Sequence, residues 1–130
     1  MEVAERKEFF SKWEYRDQIL IHTLKKVDIS YSDLQGAMLA FAHKCLKLKP
    51  DLVLEDTRSF QTEVPDDYGD WALNTVSFIY KQVGIKKIAA VTNDDVYHFF
   101  KEADLAYDGI SKRVFNNRKA ALAWLKNDNT

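Results

Sequence analysis

The sequence predicts an α/β fold built on one mixed, mostly parallel sheet, and three observations lead to that prediction. Two short apolar runs, at residues 52–55 and 86–92, end in small polar or acidic residues, as buried parallel strands do. Helical patterns precede and separate the two runs. Residues 8–24 instead alternate apolar and polar side chains, which predicts an opening β-hairpin.

The amino-terminal half therefore begins with two strands and continues with a helix. The alternation is interrupted at Arg16-Asp17, which marks the predicted turn of the hairpin. Ser30 or Ser32 can cap a helix that runs to about residue 48, and Pro50 prevents the helix from continuing. Its apolar face, at spacings of three and four, comprises Leu34, Ala37, Met38, Phe41, Cys45 and Leu48.

A second helix is predicted from Pro65, which suits a first helical position, to residue 83, with Gly84 as its C-terminal cap. Leu73 and Tyr80, seven residues apart, point away from the predicted core and are candidates for a partner-binding patch. The residues predicted to face inward are Tyr68, Trp71, Ala72, Thr75, Phe78, Ile79 and Gln82.

Two further βα units complete the chain. A helix from Asn93 or Asp94 to before residue 108 follows the strand at 86–92, and a short strand at 113–115 precedes a last helix that Asn116 or Asn117 caps. The predicted order is β-β-α-β-α-β-α-β-α, with five strands and four helices. The inward residues of the last two helices are Val96, Phe99, Phe100 and Ala103, then Ala121, Leu122 and Leu125.

Length and composition predict a single domain over residues 1–130. Apolar residues make up 46% of the chain, enough for a core without crosslinks. Nineteen basic and twenty acidic residues are interspersed and give a net charge of −1, so we expect no nucleic-acid partner. A lone Cys45 and the lack of a long apolar segment predict a cytoplasmic protein without a membrane span. Cys45 itself is expected to be a core residue.

No motif in the sequence specifies a reaction. The three histidines lack metal-ligand spacing, and neither a nucleophile triad nor a glycine-rich phosphate loop occurs. We therefore expect no catalytic residue, no cofactor and no metal. The strand at 52–55 nevertheless ends at the edge where α/β folds carry their functional crevice. Arg58 and Phe60, just beyond it, are the predicted contact residues for a protein partner.

Five short motifs are spread along nearly the whole chain: the opening aromatic hairpin, residues 54–58, Asp70-Trp71, residues 84–91 and residues 114–125. Together they resemble the STAS-type family of the sporulation anti-sigma-factor antagonists, and the small bacterial STAS-like proteins in particular. The resemblance implies a βα superhelix and a non-enzymatic regulatory module that binds another protein or pairs with itself. It also implies a phosphorylation switch at Thr57 or Ser59, although the family's Asp-Ser-Ser/Thr-Gly-Leu pattern is here Asp-Thr-Arg-Ser-Phe.

Two alternative functions remain open. Residues 49–56 resemble the strand that delivers the phospho-acceptor aspartate of two-component receiver domains, with Thr92 ending the next strand. Phosphorylation of Asp56 would need acidic residues for Mg²⁺ at the end of the first parallel strand, where Leu-Lys-Lys occurs instead. We therefore favour a structural role in which Asp56 caps its loop or pairs with Arg58.

The second alternative is a small-ligand or lipid-binding domain, because a lipid-binding fold shares the βα superhelix. Such a domain would need a cavity of several hundred Å³, for which a chain of this length leaves little room. Trp71, Phe99 and Phe100 are the residues that would line it.

Overall fold

The computed structural model describes residues 2–5, 11–25, 29–59, 65–100 and 109–127, with the backbone alone at residues 2–5, 69, 73, 96, 99 and 100. Six strands lie in these ranges, and four helical stretches separate or follow them. The strands are β1 (Glu2–Glu5), β2 (Ser11–Arg16), β3 (Ile19–Leu24), β4 (Leu52–Asp56), β5 (Lys87–Val91) and β6 (Ser111–Phe115). The helices are α1 (Tyr31–Leu48), α2 (Tyr68–Ala72), α3 (Phe78–Val83), α4 (Asp94–Phe100) and α5 (Arg118–Leu125), and a π-helical turn (Leu73–Ser77) joins α2 to α3.

The strands form one sheet in sequential order, from β1 at one edge to β6 at the other. The first three strands pair antiparallel, and β3 to β6 pair parallel. The predicted α/β fold, with its opening hairpin and mostly parallel mixed sheet, is confirmed. β1 adds an edge strand to the five predicted, because four residues with two glutamates give too short a pattern to be recognised.

The hairpin turn lies one residue later than the interruption in the sequence pattern indicates. Arg16 pairs with Ile19, so Asp17 and Gln18 form a two-residue turn. Both have positive φ, 53° and 66°, as the twist of a tight hairpin demands. The Tyr15 hydroxyl donates to Gln18 Oε1 at 3.1 Å and helps to hold this conformation.

Side chains alternate between the two faces of the sheet and enter two separate clusters. One cluster joins the sheet to α1 and the α2–α3 helix, and the other joins it to α5. The apolar face predicted for α1 is confirmed, and Ser30 is the cap, its Oγ accepting from Asp33 N at 3.0 Å. No helix in the described part of the chain is both long enough and apolar enough to cross a bilayer.

The π-helical turn changes which residues of the second predicted helix are buried. A π turn holds more residues than an α turn, so every side chain beyond it is rotated relative to a regular α-helix. Phe78, predicted to face inward, is 58% exposed, whereas Tyr80, predicted as an outward contact residue, is 2% exposed. Tyr80 packs edge-on against Phe41, with ring centroids 6.2 Å apart. The predictions for Phe78 and Tyr80 are therefore wrong, and the side chain of Leu73 lies outside the described residues.

Candidate functional site at the carboxyl edge of the sheet

The carboxyl ends of the parallel strands form one edge, as the sequence predicts. Thr23, Asp56, Val91 and Phe115 stand side by side in the register of β3 to β6. The parallel pairing continues beyond β4, because Thr57 N donates to the Val91 carbonyl at 2.9 Å. The loops that follow these strands therefore start from a fixed backbone.

Asp56 is the buried centre of this edge, with 3% of its surface exposed. Arg58 donates to Asp56 Oδ1 from its backbone N at 3.2 Å and from Nε at 3.0 Å, and to Oδ2 from Nη2 at 2.7 Å. Arg118 donates from Nε to Oδ2 at 2.9 Å. We call these three residues the Asp56 cluster. Each carboxylate oxygen accepts two hydrogen bonds, so its capacity as an acceptor is filled.

The start of α5 brings Arg118 to Asp56. Asn117 is the N-cap, and its side chain accepts from Ala120 N at 2.8 Å, so Arg118 becomes the first helical residue. From there its guanidinium also donates from Nη2 to the Thr23 hydroxyl. Arg118 thus links the ends of β3 and β4 to the last helix.

Electrostatics keep Asp56 ionised. Burial by itself would raise the pKa of this carboxyl, but the hydrogen bonds from Arg58 and Arg118 outweigh burial, and its pKa lies below the usual value. Two guanidinium groups around one carboxylate leave one net positive charge. The Arg58 and Arg118 side chains are 45% and 32% exposed, so that charge faces solvent.

The structure places the site residues predicted from the sequence in different environments. Arg58 pairs with Asp56, the structural arrangement favoured from the sequence. Thr57 is partly buried and its hydroxyl lies 3.5 Å from the Val91 carbonyl, whereas Ser59 is exposed. Phe60 lies outside the described residues. Sequence reasoning missed Arg118, although the Asn117 cap places the first turn of α5 at this edge.

A second ionisable group lies on the other face of the sheet. Glu55 is partly buried beside His22 in the register of β3 and β4. Burial raises the pKa of Glu55, and Lys112 opposes that rise. His22 is buried; its Nε2 lies 2.7 Å from Ser11 Oγ, and its ring stacks on Phe41 at 4.5 Å. These contacts give His22 a packing role.

Cys45 is a core residue, as predicted. It is fully buried, and burial followed by the charge of Glu55 raises the pKa of the thiol, which disfavours the reactive thiolate. His43 and His98 are exposed. Within the described ranges, His, Cys, Asp and Glu side chains form no group of three that could hold a metal ion.

Two open depressions of about 480 Å³ each lie away from the Asp56 cluster. One lies between Trp13 and the outer side of α1, and the other lies at the opposite, amino-terminal edge of the parallel strands beside Asp51 and Lys87. Neither includes Trp71, the residue predicted to line a ligand cavity. The side chains of Phe99 and Phe100, its predicted partners, lie outside the described residues.

The protein is thus an α/β domain whose strands follow the chain order across the sheet. At the carboxyl edge of the sheet, two arginines bind one buried aspartate. Comparisons with protein-family models, with curated proteins and with solved structures found no match to this chain.

Proposed function

We propose that this chain is a non-enzymatic regulatory module of the STAS-like kind, which acts in a bacterial cytoplasm by binding a partner protein. The binding surface is the carboxyl end of β4 and the described residues that follow it, from Asp56 to Ser59. The observation that carries this proposal is the Asp56 cluster, in which a buried carboxylate fixes two partly exposed arginines. The sequential βα order after a hairpin also supports the STAS-like assignment.

Fixed arginines are well suited to recognition. A free arginine loses side-chain entropy when a partner immobilises it, and a guanidinium already held by a carboxylate loses less. Arginine is also among the residues that carry most of the binding energy at protein interfaces. Arg58 lies in a loop, where variable contacts do not disturb the sheet.

The geometry favours this function over a phospho-accepting domain centred on Asp56. Receiver domains have the strand order 2-1-3-4-5, whereas the strands here follow the sequence. Asp56 also has both oxygens engaged by arginines, so neither is free to bind Mg²⁺ or to attack a phosphoryl group.

Ser59 is our candidate for the regulatory phosphorylation that the STAS-like assignment implies. Its side chain is exposed, whereas Thr57 is partly buried against the Val91 carbonyl. A phosphoryl group on Ser59 would bring roughly two negative charges next to Arg58. Such a group would compete with the partner protein for the Arg58 guanidinium, and the partner would be released.

Site-specific photocrosslinking in the native cell tests the proposed surface. A photoreactive amino acid replaces exposed Ser59, and the control carries the same group at exposed Asp51, on the opposite edge of the sheet. We expect a discrete crosslinked product from position 59 only, and its loss when Arg58→Glu is added. The mass of the product distinguishes a second copy of this chain from another protein. Equal products from both positions, or a product that survives Arg58→Glu, would contradict the proposal.

A further inference from the structure

Arg58 and Arg118 have more hydrogen-bond capacity than the residues around them take up. A guanidinium has five N–H donors. Arg58 uses Nε and one N–H of Nη2 on Asp56, and Arg118 uses Nε on Asp56 and one N–H of Nη2 on Thr23. The remaining N–H groups of both arginines, including those of Nη1, make no further hydrogen bond or ion pair with the described residues.

The surplus of donors coincides with a surplus of charge. Asp56 neutralises one of the two arginines, and its oxygens are already filled, so it cannot accept from a further donor. Both guanidinium groups donate to Oδ2 of the same carboxylate, and both side chains are partly exposed to solvent. Because the two guanidinium groups meet at one oxygen and keep unused donors, one anion can contact both arginines without displacing a hydrogen bond to Asp56.

We infer that the Asp56 cluster is an anion subsite that accepts an aspartate or glutamate side chain of the partner protein. This inference rests on the proposed function and specifies its chemistry. Charge balance favours a carboxylate: one such group neutralises the single excess positive charge, whereas a phosphate dianion would leave the cluster negative. Carboxylate oxygens also match the paired N–H groups of a guanidinium.

The exposure of the arginines predicts a modest contribution to affinity. Ion pairs that remain partly hydrated gain little net free energy, so this subsite sets the orientation and the charge preference of a larger interface. A short acidic peptide is therefore expected to bind weakly but saturably, with its effect confined to the two arginines.

A titration of the whole chain with synthetic peptides, observed by NMR, tests the subsite. The probe is hexaglutamate, hexaglutamine is the uncharged control, and ionic strength is held constant with sodium chloride. We expect saturable shifts of the Nε–H signals of Arg58 and Arg118 with hexaglutamate only. Arg16 is the internal control, because it is similarly exposed at 46% and its Nε lies 3.6 Å from Glu14. The chemical shift of its Nε–H is expected not to change.

Variants make the test residue-specific. Arg58→Gln should weaken hexaglutamate binding about tenfold, as loss of charge-assisted hydrogen bonds does. Arg58→Lys should weaken it less, and Arg16→Gln should leave it unchanged. If a variant folds poorly, the titration of the unsubstituted protein still tests the subsite.

Three outcomes would overturn the inference: equal shifts at Arg16, unchanged binding by Arg58→Gln, or a response to inorganic phosphate but not to hexaglutamate. The last outcome would identify a phosphate subsite. Failure of the subsite is distinguishable from failure of the proposed function. Crosslinking from position 59 without peptide binding removes the subsite alone. Peptide binding without any crosslinked protein removes the protein-binding function and leaves a carboxylate-binding site with no partner protein.

Discussion

Arg118 donates from Nε to Oδ2 of Asp56 at 2.9 Å, although the two residues are 62 positions apart in the chain. This contact fixes the first turn of α5 to the carboxyl end of β4. At the other end of the same helix, Lys87 Nζ donates to the carbonyls of Trp124 at 3.1 Å and Asn127 at 2.6 Å. Charged side chains from the sheet therefore hold both ends of α5, and one of these attachments is also the candidate site.

Replacement of Asp56 by asparagine should destabilise the fold by about 2 kcal/mol, because two guanidinium groups lose their charged acceptor. The pKa of Asp56 is lowered in the folded state, so its contribution is present at neutral pH and is lost as pH falls through the folded-state pKa. The difference between wild type and Asp56→Asn in urea unfolding should therefore shrink in acid.

Asp51→Asn is the matched control, since it removes an exposed carboxylate near the start of the same strand. Surface substitutions of this kind change stability by no more than about 0.5 kcal/mol. Equal effects of the two substitutions would show that the cluster contributes nothing to stability.

Asp56 should not accept a phosphoryl group. Incubation with acetyl phosphate and Mg²⁺, followed by intact-mass measurement, is expected to give no acyl-phosphate adduct, because Arg58 and Arg118 occupy the carboxylate oxygens. A stoichiometric adduct that Asp56→Asn abolishes would favour the receiver-like alternative.

A pair of substitutions tests the effect of the π-helical turn. Tyr80→Ala should cost roughly 3 kcal/mol, because it opens a cavity against Phe41 in the core. Phe78→Ala should cost less than about 1 kcal/mol, because that ring is mostly in solvent. Both variants are compared by the same denaturant titration. A larger loss at Phe78 would mean that the helix keeps regular α-helical phase.

The sequence was informative where one local pattern decides the structure. The spacing of Leu34, Phe41 and Cys45 identified the buried face of α1, and the apolar run before Asp56 identified β4. It was not informative where a tertiary interaction decides. Nothing local indicates the extra residue of the π turn before Phe78, since the same apolar residues suit either helical phase.

The candidate site also combines contacts that local sequence predicts with a contact that only the tertiary structure reveals. The position of Asp56 at a strand end and its pairing with Arg58, two residues on, follow from local sequence. The contact with Arg118 depends on the packing of α5 against β4 and β5 on one face of the sheet. A candidate site assembled from distant residues therefore becomes visible only when the topology is known.

Glu55 should make stability fall as pH rises. Burial raises its pKa in the folded state, so the folded chain binds this proton more tightly than the unfolded chain does. Between the unfolded and folded pKa values each rise in pH then lowers the free energy of unfolding. Glu55→Gln removes the ionisable group, and we expect it to be more stable than wild type at pH 7 and equal to it in acid.

Lys112 offers a matched test of the same mechanism, because its charge lowers the pKa of Glu55. Lys112→Met should raise that pKa further and extend the loss of stability to higher pH, and Glu55→Gln should abolish this effect in the double variant. Urea unfolding of the four proteins from pH 4 to pH 9 measures the difference. If Glu55→Gln were less stable than wild type at pH 7, the ionised carboxylate would be stabilising, and the burial of Glu55 would not govern its titration.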